Sequence, residues 1–125
     1  MERRYKGSLA ASFKHAFEGL WYVLSSERNA RIHLSIAALV GALGIWLRLT
    51  ALEWALIVAA IALVFAGEML NTVVELTLDL VMPDENSLAK HAKDVAAGAI
   101  LVASAAAAVI GVIVLGPRLW HALGL

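Results

Sequence analysis

Four polar residues stand where the sequence gives little reason for polarity. Glu68, Asn71, Glu75 and Asp79 lie at i, i+3, i+7 and i+11 within an apolar run that begins near Trp54 and reaches Met82. At about 100° per residue they share one helix face. A charge at the bilayer centre costs at least ~2.5–3.5 kcal/mol, so charged residues kept there usually have a function. If the run enters a membrane at Trp54, roughly 20 residues carry it to about Val73. Glu68 then lies at lipid depth, Asn71 near the headgroups, and Glu75 and Asp79 at the water surface. A carboxylate at lipid depth can take a proton from an alcohol. The acids nearer water can meet a soluble reactant, or can simply be a solvated helix end. A proton or cation pathway would use the same acids, although such pathways draw on several polar helices.

Two further clusters are predicted on the same side. Glu27-Arg28-Asn29-Ala30-Arg31 precedes the first apolar span, and Lys90-His91-Ala92-Lys93-Asp94 opens the last one. A mouth built from Glu27, Glu75, Lys93 and Asp94 has the parts of a phosphoryl-transfer site. Carboxylates hold Mg²⁺ through oxygen, one or two of them together with substrate phosphates. A lysine near a helix N-terminus can bind phosphate. The chain has no Walker glycine loop and no protein-kinase motif, so a nucleotide site here is of another kind. Lys93-Asp94 can also be read as an ordinary charge pair at a helix start.

The elements that must position these residues follow from the charge pattern. Of 125 residues, 62% are apolar and only 16% charged, with no cysteine. The mean hydropathy is +0.82. Soluble domains average about 45–50% apolar and about 25% charged residues. This composition argues against a soluble enzyme, a disordered tail and a nucleic-acid binder, and the lack of cysteine removes disulfides and thiolate chemistry. The reading is an all-α integral membrane protein forming one domain over 1–125. A surface helix is expected over about 8–27, and membrane helices over about 30–50, 53–81 and 88–116. Residues 32–47 and 95–117 contain no Asp, Glu, Lys or Arg. Pro83 stops the second span, and Asp84 or Ser87 is expected to cap the third.

Leu9, Phe13, Ala16, Phe17, Leu20 and Leu24 recur at three- and four-residue steps. This reads as an amphipathic helix on the membrane surface rather than a signal peptide; a helix packed on a partner protein is the alternative. With three spans, eight of the ten basic residues (Arg3, Arg4, Lys6, Lys14, Arg28, Arg31, Lys90 and Lys93) fall on one side, and Arg48 and Arg118 on the other. The positive-inside rule then puts the N-terminus and the 83–94 loop in the cytoplasm. Ala99, Ala103, Ala107 and Gly111 form a small-residue stripe, which permits close helix packing or is plain filler. Three short spans enclose little interior, so a homo-oligomer is expected.

The string Glu68-Met-Leu-Asn71-Thr-Val-Val-Glu75 through Asp79, and the string Ala89-Lys90-His91-Ala92-Lys93-Asp94 through Gly98, resemble the signature of the bacterial diacylglycerol kinase family. The resemblance runs from about Phe13 to Gly116 and includes Gly19-Leu20 and Glu53-Trp54. Glu27-Arg28-Asn29-Ala30-Arg31-Ile32-His33 is similar to the Gram-positive-type branch, whose members phosphorylate undecaprenol. The resemblance implies a homotrimeric bundle in the bacterial cytoplasmic membrane, with composite sites between subunits. It implies transfer of the γ-phosphate of ATP to undecaprenol, with diacylglycerol as the alternative acceptor. By the same resemblance Glu68 matches the catalytic base, and Glu27 and Glu75 the carboxylates that hold Mg²⁺ on the ATP phosphates. Lys93 and Asp94 match ATP-binding positions, and Asn71 a polar residue lining the site. Arg31 matches a basic position near the reacting groups, and Trp46 a position deep along the lipid groove. A non-enzymatic small conductor or membrane adaptor is the contrasting class.

Overall fold

The computed structural model describes residues 7–125; Arg3, Arg4 and Lys6 of the basic N-terminal cluster lie outside the described residues. The described chain is all helical: α1 (Leu9–Ser26), α2 (Arg28–Trp46), α3 (Ala51–Val81) and α4 (Ser87–Ala122). The last three are long and apolar enough to cross a membrane. With 31 and 36 residues, α3 and α4 extend about 46 and about 54 Å at 1.5 Å per residue. Both exceed the ~30 Å hydrocarbon layer, so their ends carry polar residues out of it.

Each helix boundary has a local cause. Ser8 caps α1, its side chain accepting from the Ala11 amide. The chain turns extended at Glu27, and the Arg31 guanidinium donates to the Leu24 and Ser25 carbonyls, occupying acceptors that the end of α1 leaves free. Helix α2 ends in a six-to-one, five-to-two closure: the Leu49 amide donates to the Gly44 carbonyl and the Arg48 amide to that of Ile45. Arg48 occupies the left-handed position of this closure at φ 53°. Thr50 and Glu53 then form a reciprocal capping box at the start of α3. At α4 the cap is Asn86, which accepts from the Leu88 and Ala89 amides, and not Asp84 or Ser87. Helix α4 runs on through Pro117, which brings Arg118 back to Glu53 at 2.7 Å. Arg118 also donates to the Leu47 and Arg48 carbonyls.

The main packing is α3 along α4, with α2 against α3. The apolar core (Leu47, Leu49, Ile57, Val114 and Leu115) gathers at the α2–α3 hairpin and the end of α4. The polar face of α3 lies at the opposite end, beside the α1–α2 joint and the start of α4. Stability and chemistry are thus placed at different ends of the bundle. Within the small-residue stripe Ala103 is buried, while Ala107 and Gly111 line a cavity between α2, α3 and α4. Leu9, Phe13, Phe17 and Trp21, one four-residue stripe of α1, are all exposed, as is much of the apolar surface of the other helices.

Candidate functional site

Helix α3 turns its polar residues inward. Glu68 is 2% exposed and is the largest fully buried side chain, with Thr72 and Asn71 buried beside it. Thr72 Oγ1 donates to the Glu68 carbonyl at 2.9 Å, so its hydroxyl is satisfied along the helix. Asn71 Nδ2 donates to Glu75 Oε1 at 3.2 Å. Glu68, Asn71 and Glu75 therefore form one continuous polar strip. Asn71 Oδ1 and Glu68 Oε1 are buried with no hydrogen bond of good geometry among the described residues. Buried polar atoms of this kind need a partner, and for the Asn71 oxygen a ligand can supply one.

Other elements close around the strip. Glu27, at the α1–α2 joint, joins Glu75 in lying close enough to Glu68 to act on its charge. His33 of α2 brings Nε2 to 3.2 Å from Glu68 Oε1. From α4, Lys93 Nζ donates to Asp79 Oδ1 at 2.6 Å and lies close enough to Glu75 to interact with it. Asp79 and Lys93 also line a cavity of about 560 Å³ with Asp84, Glu85, Asn86 and Lys90. A second cavity, about 240 Å³ and almost wholly apolar, runs from His33 between α2, α3 and α4 past Val40 and Ala60 to Gly111. A polar cavity and an apolar one thus lie toward opposite ends of the acid strip that contains Glu68.

Not every residue singled out in the sequence joins this cluster. Glu27, Glu68, Asn71, Glu75 and Lys93 come together. Asp94 is turned to Lys90, 2.6 Å away on the same helix. Arg31 is engaged with the end of α1. Trp46 ends α2 at the far end of the helix from Arg31 and lines a separate recess with Arg48, Arg118 and His121. His33 was missed because it stands in a run read as free of charge, and its partner is 35 positions away. An imidazole in such a run, one turn past Asn29 and facing the acid-bearing span, was the signal available.

As a donor set the carboxylates fit a hard cation. Among the described residues no group of three His, Cys, Asp or Glu is arranged to hold a metal ion by itself. Two carboxylates completed by phosphate oxygens is how Mg²⁺ is usually bound beside nucleotides. Glu27, Glu75 and the free Asn71 oxygen supply oxygen ligands of that kind.

Fold and site together define a small membrane protein with three membrane-length helices, whose buried carboxylate lies between an apolar groove and a charged cavity. The prokaryotic diacylglycerol kinase family model matches residues 14–115. The chain is 39% identical to an undecaprenol kinase of Bacillus subtilis over 86% of its own length and 88% of that protein. It is 38% identical to a diacylglycerol kinase of Synechocystis over 90% of its length and 65% of that protein. A diacylglycerol kinase of Haemophilus influenzae is 28% identical over 76% of the chain and 80% of that protein. The chain belongs to the prokaryotic diacylglycerol kinase family and is a membrane lipid kinase with ATP as phosphate donor. This replaces the conductor and adaptor alternatives.

Proposed function

We propose that the enzyme transfers the γ-phosphate of MgATP to the hydroxyl of undecaprenol. The observation that carries the reading is Glu68, a fully buried carboxylate on α3 between the residues that line the apolar groove and those that line the cavity holding Lys93. The acceptor alcohol enters from the groove with its tail in the membrane. Glu68 takes the hydroxyl proton, and the alcohol oxygen attacks the γ-phosphorus in line as the bond to ADP breaks. Lys93 holds phosphate oxygens; its ammonium has three donors, of which Asp79 uses one. Glu27 and Glu75 would hold Mg²⁺, with Asn71 beside them. When bound, that ion supplies charge neutralisation on the phosphates. Asp94 contributes to ATP binding indirectly, by holding Lys90 where it lines the same mouth. Arg31 acts at this end of the site through its hold on the end of α1 beside Glu27, and a long isoprenoid tail leads along the groove in the direction of Trp46, which lines a separate recess farther along α2.

The working unit in this reading is a homotrimer with sites composed between subunits. The α1 stripe Leu9, Phe13, Phe17 and Trp21 rests on the membrane surface, and the N-terminus and 83–94 loop face the cytoplasm. The exposed apolar α1 stripe supports the first of these placements, and the basic bias of that side supports the second. The Bacillus relative's name favours undecaprenol, and the Synechocystis relative's name keeps diacylglycerol as the second acceptor. The test is purified protein with γ-labelled ATP and the two lipids side by side. Label is expected mainly in undecaprenyl phosphate. Label mainly in phosphatidic acid reverses the choice of acceptor.

A further inference from the structure

His33 is the residue that faces Glu68 most directly and has no role in the reaction as described. Its Nε2 lies 3.2 Å from Glu68 Oε1, with side-chain exposures of 22% and 2%. The other charged groups close to Glu68 are Glu27, from the α1–α2 joint, and Glu75, from α3 itself. Both carry the same sign as Glu68. Helix α4 contributes no charged residue to this level, since residues 95–117 are free of Asp, Glu, Lys and Arg. His33 is therefore the one neighbour among these that can donate a hydrogen to the buried carboxylate. It also stands at the head of the apolar groove, where the acceptor hydroxyl must arrive.

We infer that His33 is a positioning residue: from an approach of 3.2 Å that is not aligned as a hydrogen bond in the isolated subunit, its Nε2–H turns to donate to Glu68 Oε1 and fixes the carboxylate, leaving Oε2 for the acceptor hydroxyl. A carboxylate on a three-bond stem has several rotamers, and a buried one flanked by two other acids is pushed toward those that separate the charges. One donor from a different helix selects a single rotamer. The imidazole does not exchange a proton with substrate in this role; Glu68 alone receives it. The inference rests on the lipid-kinase reading with Glu68 as base.

The test compares His33→Ala, His33→Gln and Glu68→Gln in the full-length protein in lipid-containing micelles. Gln places an amide N–H near the position of Nε2. His33→Ala is expected to lower kcat by about 100-fold, the scale of a small misplacement of a reacting group. KM for MgATP and the oligomer size should stay unchanged. His33→Gln should recover kcat to within about tenfold of wild type, because a donor is restored. Wild-type kcat in His33→Ala overturns the inference. So do equal losses in both His33 variants together with a lowered melting temperature, which make the residue structural. If Glu68→Gln keeps turnover, the base reading fails and the positioning role goes with it. If Glu68→Gln is inactive while His33→Ala is fully active, the positioning role alone fails.

Discussion

Lys93 Nζ lies 2.6 Å from Asp79 Oδ1, and this ion pair ties the water-side end of α3 to the opening turns of α4. The two residues are 14 positions apart, on either side of the Pro83 turn. The side chains are 40% and 64% exposed, so the pair is solvated and adds little to stability. What it does is aim the ammonium: Lys93 is held over the cavity and beside Glu75 with donors to spare.

Lys93→Met keeps the aliphatic stem and removes the charge. We expect kcat/KM for ATP to fall by about 100-fold or more, as when a donor to developing charge is lost. The melting temperature should not move, because an exposed pair is given up. Asp79→Asn should have a smaller effect on the same rate, since it removes only the group that aims Lys93. Steady-state kinetics at varied ATP measures both. Wild-type kcat/KM in Lys93→Met removes this lysine from phosphate binding.

Glu68→Gln preserves shape and removes the base. The expected loss in kcat is between about 100- and 10,000-fold, the usual worth of a positioned general base. Binding of a fluorescent ATP analogue with Mg²⁺ should persist, because Glu27, Glu75 and Lys93 are untouched. Loss of nucleotide binding together with turnover would show instead that Glu68 holds the nucleotide site together.

The sequence made the acid strip legible because helical periodicity is a local property, and Glu68, Asn71 and Glu75 need only one helix to share a face. The charge-free runs marked the membrane helices for the same reason. What escaped depends on distant residues. The His33–Glu68 approach joins positions 35 apart, and the Arg118 contact to Glu53 joins positions 65 apart. Neither follows from a period. The α4 cap escaped for a different reason. Asp84, Asn86 and Ser87 can all cap, and the choice falls on Asn86 only once the turn after Pro83 has set where helical geometry begins.

Arg48 holds the left-handed conformation at φ 53° that closes α2, a position where glycine is the usual occupant. A side chain there costs on the order of 1 kcal/mol, partly offset by the greater unfolded-state freedom of glycine. Its carbonyl, not its side chain, accepts from Arg118, so that contact survives substitution. Arg48→Gly is therefore expected to raise the melting temperature by a few degrees in detergent with kcat unchanged. A fall in melting temperature would show that the guanidinium contributes more than the backbone strain removes.

Gly44 lies under the indole of Trp54, where the α2–α3 hairpin is tightest. A Cβ added there would meet two Trp54 ring carbons at 2.7 and 2.9 Å and a Leu49 methyl at 3.0 Å. The indole is part of the apolar packing around Ile57 and Leu115, so it cannot swing aside freely. Overpacking of this kind costs about 1–3 kcal/mol. Gly44→Ala is expected to lower the melting temperature, whereas Gly41→Ala, with nothing within 4 Å of the added carbon in the subunit, should raise it or leave it unchanged because alanine favours the helix. The kinetic constants at the Glu68 end should be preserved in both variants. Coupled losses of stability and kcat in Gly44→Ala would mean that the packed end of the bundle also sets the geometry of the acid strip.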